Sequence, residues 1–310
     1  MSGKQVPAWV TALLPPNSHR RQVARIVSGT ARRPGDWQRL ASPTNIANFF
    51  KYRGIAFRCP VCGEESSPVY DFPDLSLRRE HRIGVLRETL QCRACYASMR
   101  QRALASELLA QVGSRTGNPA TSVAALAVAG LRGLQVLDTD SFSATCARLR
   151  GTAGYRTCSF QPDRAWGAEV APSHFNIDLQ RIDFPDATFD ILLSSDVLEH
   201  VRDATAAFSE IHRVLKPGGV HVFTVPYDPS SAENIRLVDT SGPVDVMLCR
   251  PHLHGDPLSA GVLAYRVFGR RLITDLDRCG FDTTFKTVDD SAALIVGGDV
   301  FVSSKRSAAA

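Results

Sequence analysis

Residues 189–226 constrain the fold of this chain more than any other stretch. They read FDILLSSDVLEHVRDATAAFSEIHRVLKPGGVHVFTVP. The run ILLSS is apolar enough for a strand buried on both faces, and ATAAFSEIHRVL repeats apolar residues at helical spacing. The glycines of KPGG predict the helix end, because glycine takes positive φ readily, and VHVFTVP predicts a second strand. A helical crossover joins parallel strands, so the sequence predicts an α/β fold.

Polar residues follow the first of these strands, in the segment SSDVLEH. In open α/β sheets, ligands bind beyond the carboxyl ends of the strands. An acid and a histidine at such a corner therefore indicate a ligand site. An α/β unit without a ligand would explain the hydrophobic periodicity but not this corner.

The segment FPDATFDILLSSDVLEHVRD, with EIHRVLKPGG after it, resembles class I S-adenosylmethionine-dependent methyltransferases and is similar to their small-molecule, type 11-like members. The resemblance implies a Rossmann-like, doubly wound sheet of seven strands, the last of them antiparallel, and S-adenosylmethionine as methyl donor. DTTFKTV and ALIVGGDVFVSS are then the last two strands. A helix is expected before them in YRVFGRRLITDLDRCGF, with Val267, Leu272 and Leu276 facing inward.

Composition and pattern divide the chain into five parts. We expect a basic, proline-containing arm, a cysteine-bearing module with its leading helix, a linker, a methyltransferase domain and a tail. These parts span residues 1–54, 55–112, 113–130, 131–304 and 305–310, respectively. No apolar run is long enough to cross a membrane and the amino terminus lacks the core of a signal peptide, so a cytoplasmic location without membrane contact is expected.

Positive charge is concentrated at the amino terminus. The net charge is +5, yet residues 1–58 carry ten Lys and Arg against Asp36 alone, or +9. Such an arm usually forms a solvated surface, although it also leaves a nucleic-acid partner open. The sequence lacks the aromatic residues interleaved with basic ones that base-stacking proteins use, so a small-molecule acceptor is favoured over RNA or DNA. The oligomeric state is not indicated.

Four cysteines form two Cys-x-x-Cys pairs, in CPVCG and CRACY. In an intracellular enzyme this pattern is typical of metal binding. Two such turns supply the ligands of a closed tetrahedral site, so the predicted metal is a structural Zn²⁺ held by Cys59, Cys62, Cys92 and Cys95. The run RETLQCRACYASMRQRALASELL also resembles the amino-terminal region of a methyltransferase subgroup with such a knuckle.

The first donor-binding loop departs from the pattern of the family. Class I methyltransferases carry three spaced glycines after an acid, whereas here VLDTDSFSATC places Asp140, Phe142 and Ala144 at the glycine positions. A reshaped loop would then have to hold the donor, and a site that has lost catalysis is the alternative. The resemblance implies donor contacts at Asp138, Thr139, Ser141, Ser159, Phe160, Asp178, Leu179, Ser195, Asp196 and Val197.

Methyl transfer needs a positioned acceptor and sometimes a base, because the sulfonium donor is already activated. His200, after the SSDV corner, is the first candidate base; a histidine hydrogen-bonded to backbone at a helix start is the alternative. The segment CRPHLHGDP adds His252, His254 and Asp256 as further catalytic candidates. The acceptor is expected to offer O or N on a small metabolite, such as a sugar or a secondary-metabolite scaffold.

Overall fold

The structure is a computed structural model that describes residues 43–70, 86–254 and 261–306. Short elements come first: a helix, two antiparallel strand pairs (β1 with β2, β3 with β4) and a single turn of helix. They are α1 (Pro43–Tyr52), β1 (Phe57–Arg58), β2 (Glu65–Ser66), β3 (Pro68–Tyr70), α2 (Leu86–Thr89) and β4 (Leu90–Cys92).

Helices and strands then alternate up to the helical crossover and the strand that follows it. They are α3 (Met99–Thr116), α4 (Val123–Ala129), β5 (Val136–Asp138), α5 (Ala144–Leu149), β6 (Tyr155–Ser159), β7 (Glu169–Ala171), β8 (His174–Asn176), β9 (Phe189–Ser195), a 3₁₀ turn (Leu198–His200), α6 (Ala204–Val214) and β10 (Leu215–Thr224). The strand, helix, strand reading of residues 189–226 is confirmed.

The carboxyl-terminal part inserts short strands before a last helix and a long hairpin. The elements are β11 (Ile235–Arg236), β12 (Val238–Asp239), β13 (Val246–Met247), β14 (Leu253–His254), β15 (Val262–Leu263), β16 (Arg266–Val267), α7 (Arg271–Arg278), β17 (Phe281–Asp290) and β18 (Ile295–Lys305). The expected helix is therefore shorter. Leu272 and Leu276 are buried in α7, but Val267 lies in β16, because residues 266–267 pair with β11 instead.

The main sheet has eight strands in the order β17, β18, β10, β9, β5, β6, β8, β7. Strands β8, β6, β5, β9 and β10 are parallel, and β18 runs antiparallel to both of its neighbours, as the resemblance implied. The expected count of seven is wrong by one. The eighth strand is the three-residue β7, which turns back at Ser173 (φ 56°) and pairs antiparallel with β8 at the sheet edge.

The cysteine-bearing segment, residues 57–70 and 90–98, shares one hydrophobic core with α3 and one face of the sheet; Val61, Leu90, Leu108, Val136 and Val222 are all buried in it. Backbone bonds from Val123 to Pro60 and from Arg58 to Ala292 join it to α4 and the last hairpin. The range expected to be linker thus contains the end of α3 and all of α4. The opposite face of the sheet packs on α6 and α7. Among the described residues, no helix is long and apolar enough to cross a bilayer.

Candidate active site

The first loop of the candidate site follows β5. Asp138 is buried; its Oδ2 accepts a hydrogen bond from the Tyr155 hydroxyl (2.6 Å) and its Oδ1 accepts one from the Asp140 amide (2.9 Å). Burial, with the nearby charge of Asp140, raises the pKa of Asp138 to about 7. Tyr155, on β6, is a partner that the sequence did not indicate.

Of the three residues at glycine positions of the family, Phe142 points toward solvent, whereas Asp140 lines a small cavity between α3 and the loops. Phe142 is 59% exposed, and Ala144 begins α5, whose N-cap Ser143 accepts from the Cys146 amide at 3.0 Å. Ser141 is buried, and the buried Thr139 Oγ1 has no hydrogen-bond partner within residues 43–70, 86–254 and 261–306. A buried hydroxyl without a partner costs about 1–3 kcal/mol, so Thr139 fits a site that a polar ligand completes.

The second loop follows β9, at the corner identified in the sequence. Asp196 has φ 51°; it accepts a fork of two hydrogen bonds from Arg87 (2.6 and 3.1 Å) and one from the Thr224 hydroxyl (2.8 Å). Burial opposes ionisation of this carboxyl, but the charges of Arg100 and Arg87 outweigh burial and hold its pKa well below the usual range. Asp196 is therefore an ionised, half-buried carboxylate.

Arg100 lies beside this corner, although its sequence position is next to the second cysteine pair. Ser98 caps α3 in a reciprocal capping box with Gln101, which places Arg100 in the first turn. Its guanidinium binds the Glu88 carboxylate (2.6 and 3.1 Å), lies 3.5 Å from Asp196 and donates from Nη1 to Ser195 Oγ. Nothing in the sequence indicated that Arg100 lies between the two loops.

A cavity lies between α3 and the two loops. Its lining combines apolar residues of α3 with polar residues of the loops, namely Leu104, Leu108, Asp138, Asp140, Ser143 and Ser195. The helix that follows the second cysteine pair therefore packs against both loops that are expected to contact the donor. Sequence reasoning treated that helix only as the leader of the domain.

The end of β6 carries two of the expected donor contacts, Ser159 and Phe160. Ser159 Oγ lies 2.9 Å from Nε2 of His174 and accepts a hydrogen bond from the side-chain amide of Gln161 (2.7 Å). His174 Nδ1 lies 2.7 Å from the Thr157 hydroxyl. Burial lowers the pKa of His174. Phe160, 59% exposed, meets the ring of Trp166 at 5.4 Å. His174 and Trp166 were missed because both lie in a stretch whose pattern predicted no strand.

The remaining expected donor contacts lie after β8 and β9. Asp178 is half-buried and accepts from the backbone and side-chain amides of Gln180 (2.9 and 3.1 Å), and Leu179 beside it is buried. Val197 is partly buried against the core of the α6 face. Asp138, Ser159, Asn176 and Ser195 end parallel strands, so these contacts share one edge of the sheet.

The candidate bases differ in how far the structure describes them. His200 lies in the 3₁₀ turn, with Nδ1 2.9 Å from the carbonyl oxygen of Leu263 and Nε2 3.6 Å from a carboxylate oxygen of Glu199. His252 is half-buried, and its carbonyl accepts from the Ala264 amide. His254 lies in β14, paired with Val262; its side chain and Asp256 lie outside the described residues.

The four predicted metal ligands form one cluster. Their sulfur atoms all lie within 4.8 Å of one another, with Cys59 3.7 Å from Cys95 and Cys62 3.9 Å from Cys92. Zn–S bonds of about 2.3 Å in a tetrahedron separate the sulfurs by about 3.8 Å, so the spacing fits zinc. The hydrogen bond to Cys92 and burial hold the pKa of the Cys59 thiol at about 12, an obstacle to ionisation that a cation removes.

Both cysteine turns have the same backbone. Gly63 (φ 80°) and Tyr96 (φ 59°) take left-handed conformations, and their amides donate to the carbonyls of Cys59 and Cys92, each at 2.8 Å. Glycine adopts this conformation freely, whereas tyrosine does so at a cost. The repeated turn points each pair of thiols toward the same centre.

The pH dependence of stability should report the burial of Asp138. The folded protein keeps on this carboxyl a proton that the unfolded chain loses above its ordinary pKa of 3.8. Stability from this group is therefore present at low pH and falls as pH rises to about 7. We expect Asp138→Asn to be more stable than wild type at pH 8, by up to about 4 kcal/mol, and to lose that advantage at pH 4.

Urea denaturation at both pH values measures this difference. The difference between variant and wild type cancels the contributions of His221 and Asp196, because both proteins contain these groups. Their lowered pKa values make stability fall toward acid, in the direction opposite to that of Asp138. An equal difference at pH 4 and pH 8 would show that folding does not raise the pKa of Asp138.

Comparison with known proteins agrees with this geometry. Residues 111–223 match the family described as methyltransferase domain. This match covers both loops of the candidate site and the crossover unit. Residues 111–223 are thus similar to the methyltransferase domain family.

The curated relatives share shorter segments. Sterol 24-C-methyltransferase of Yarrowia lipolytica is 31% identical over 128 residues, covering 40% of this chain and 30% of the relative. Dimethylglycine N-methyltransferase of Parasynechococcus marenigrum is 30% identical over 103 residues, covering 33% of each chain. Phosphoethanolamine N-methyltransferase 3 of Arabidopsis thaliana is 33% identical over 66 residues, 21% of this chain and 14% of the relative. The chain thus spans a third or less of these relatives.

Solved structures with a similar arrangement include an S-adenosylmethionine-dependent methyltransferase of Mesorhizobium loti, at 20% identity and TM-score 0.42, covering 67% of this chain and 98% of that one. Another is the 1,6-didemethyltoxoflavin-N1-methyltransferase of Burkholderia thailandensis, at 16% identity and TM-score 0.36, covering 67% and 78%. The strand order described above, not these scores, defines the fold.

Proposed function

We propose that this chain transfers a methyl group from S-adenosylmethionine to O or N of a small molecule, with a structural Zn²⁺ on Cys59, Cys62, Cys92 and Cys95. The observation that carries the proposal is the meeting of two polar loops, after β5 and after β9, at one edge of a parallel sheet. This edge is where α/β enzymes bind ligands. The methyltransferase match over the same residues names the chemistry.

The polar groups of the edge suit the parts of the donor. Thr139 offers a buried hydroxyl without a partner in the described chain, and Asp196 an ionised carboxylate beside it in the neighbouring loop. Ser159 stands where the family binds ribose, and Asp178 with Leu179 where it binds adenine. Phe160 and Trp166 add an exposed aromatic pair at the ribose end.

The expected general base is His200. The carbonyl of Leu263 can only accept, so its bond to Nδ1 assigns the proton of the neutral ring to Nδ1. Nε2 then carries the lone pair that takes a proton from the acceptor. A proximal base and a positioned acceptor are what displacement at a sulfonium carbon needs. His252, His254 and Asp256 remain candidates for contacts with the acceptor.

Small molecules are the favoured acceptors. The names of the relatives refer to a sterol, dimethylglycine and phosphoethanolamine, which are small molecules of different classes. Sugars and secondary-metabolite scaffolds remain within the proposal, and the identities of the acceptor and of the methylated atom follow from none of these names. We assign no acceptor class beyond O or N on a small molecule.

Calorimetric titration with S-adenosylmethionine tests the proposal. We expect saturable binding by the zinc-loaded protein, and Asp178→Ala should weaken it about tenfold, because a charged hydrogen bond contributes roughly 1.5–3 kcal/mol. Asp282→Ala is the matched control, since Asp282 is an exposed aspartate on β17 at the far edge of the sheet.

Absence of binding at millimolar donor by folded protein would overturn the enzymatic proposal and leave a methyltransferase fold that serves as a scaffold. Binding that Asp178→Ala leaves unchanged would overturn only the adenine assignment.

A further inference from the structure

We propose that Arg100 binds the α-carboxylate of the methyl donor. This side chain thereby replaces the donor contact that the glycine-rich loop makes in the family. The inference rests on the proposed function, because it concerns the same donor. It adds a specific residue, carried by the helix after the second cysteine pair, that neither the methyltransferase match nor the sequence pattern assigns.

The first observation that supports this proposal is the position of Arg100. Its guanidinium stands at the junction of the two loops, in contact with Ser195 after β9 and close enough to Asp140 after β5 to be influenced by its charge. Both loops approach the methionine part of the donor in this class of fold. Arg100 is thus a cation placed where that part must lie.

The second observation is the set of hydrogen bonds that Arg100 makes. Nε and Nη2 form the fork to Glu88, which fixes the plane of the guanidinium, whereas Nη1 donates to the neutral Ser195 hydroxyl. A guanidinium and a carboxylate attract each other as opposite charges and form a stronger hydrogen bond than a guanidinium forms with a neutral hydroxyl. Exchange of the hydroxyl for a donor carboxylate at Nη1 is therefore favourable and leaves the Glu88 pair intact.

The third observation is the net charge of the residues around Arg100. Two arginines, Arg87 and Arg100, face three carboxylates, Glu88, Asp140 and Asp196, so this cluster carries a net charge of −1 when all are ionised. S-adenosylmethionine carries a sulfonium, an ammonium and one carboxylate, which sum to +1. Each arginine gives two bonds to one carboxylate, Arg87 to Asp196 and Arg100 to Glu88. Arg100 also directs Nη1 to a neutral hydroxyl, that of Ser195, which a donor carboxylate can replace.

The altered loop explains why such a cation is needed. Glycines let the bare backbone approach the donor and bind it through amides. Here Asp140 replaces a glycine and brings negative charge to the place where a carboxylate must bind. Without a cation, two like charges would meet in a buried site, at a cost of several kcal/mol. Arg100 neutralises this repulsion.

A ligand and mutation cycle tests the assignment. S-adenosylmethionine and its decarboxylated analogue differ only in the carboxylate, and titration of each into wild type and Arg100→Met isolates the pairwise interaction. We expect the substitution to lower the affinity for S-adenosylmethionine roughly 10- to 100-fold, which is the loss expected for one charged hydrogen bond. The affinity for the decarboxylated analogue should fall less than about threefold. Arg93→Met, an exposed arginine of the same segment, should change neither.

The possible results distinguish the role of Arg100 from the proposed function. Equal weakening of both ligands, or no weakening of either, would overturn the role of Arg100 while leaving the proposed function in place. Failure of both ligands to bind wild type would instead overturn the proposed function. If Arg100→Met does not fold, Arg100→Lys replaces it, because lysine keeps the charge but loses the fork to Glu88. This variant should lower the affinity for S-adenosylmethionine by a smaller factor and leave the affinity for the decarboxylated analogue unchanged.

Discussion

Replacing Cys62 or Cys92 by serine is expected to remove the bound zinc and to unfold the cysteine-bearing segment. Both thiols are buried, and each belongs to the cluster of four sulfur atoms that we propose to hold zinc. Structural zinc contributes about 10–16 kcal/mol of apparent binding energy in small peptides. Because the segment shares a core with α3, its loss should lower the melting temperature of the whole chain, by more than about 10 °C.

Metal analysis and calorimetry check this expectation. Wild type should contain one zinc per chain, and either variant almost none. Cys249→Ser is the matched control, since Cys249 is exposed and lies far from the cluster in the inserted segment, and it should keep both the zinc and the melting temperature. A wild-type chain that melts at the same temperature with and without a strong chelator would contradict a structural zinc.

Arg102→Met is expected to destabilise the fold by at least about 3 kcal/mol. The guanidinium is fully buried and donates to four backbone carbonyl oxygens, those of Leu90 (3.0 Å), Ala97 (2.9 Å), Ala293 (3.1 Å) and Leu294 (2.7 Å). Methionine fills the space but leaves all four acceptors without this donor. These bonds connect the second cysteine turn to the last hairpin, so both should loosen together.

Urea denaturation of the zinc-loaded protein measures the effect. Arg102→Lys should recover little, because an ammonium cannot reach four acceptors with the planar geometry of a guanidinium. Arg93→Met should change the free energy of unfolding by less than about 0.5 kcal/mol, as expected for an exposed residue. A loss below 1 kcal/mol for Arg102→Met would mean that the two elements are held together by apolar packing alone.

Much of the fold follows from local patterns. The apolar run of β9 and the amphipathic α6 predict their own structures, because each pattern has the period of the element that it forms. The glycines of KPGG do not end the helix as predicted: α6 ends at Val214, and Gly218 and Gly219 lie within β10. The edge strand β7 was missed because it has only three residues and its pairing with β8 depends on the turn at Ser173. Val267 was misplaced because pairing with β11 overrides helical spacing.

The candidate site was predictable only in part. Asp138, Ser195 and Asp196 were identified because each ends or follows a predicted strand, and parallel strands bring those ends to one edge. Arg87 was not identified, since its partner Asp196 lies 109 positions away and nothing local indicates the pair. His174 was missed for a similar reason: its role depends on Thr157 and Ser159, on the neighbouring strand.

The sequence by itself determined the crossover unit, the α/β class and the two cysteine turns, because hydrophobic period, glycine conformation and thiol spacing act over a few residues. Tertiary structure alone decided which charges meet. It brought Arg87 and Arg100 from the cysteine-bearing end to the corner after β9, and it buried Asp138 beside Tyr155. The reason is physical: charge interactions and desolvation depend on distance through space, which the order of residues along the chain does not specify.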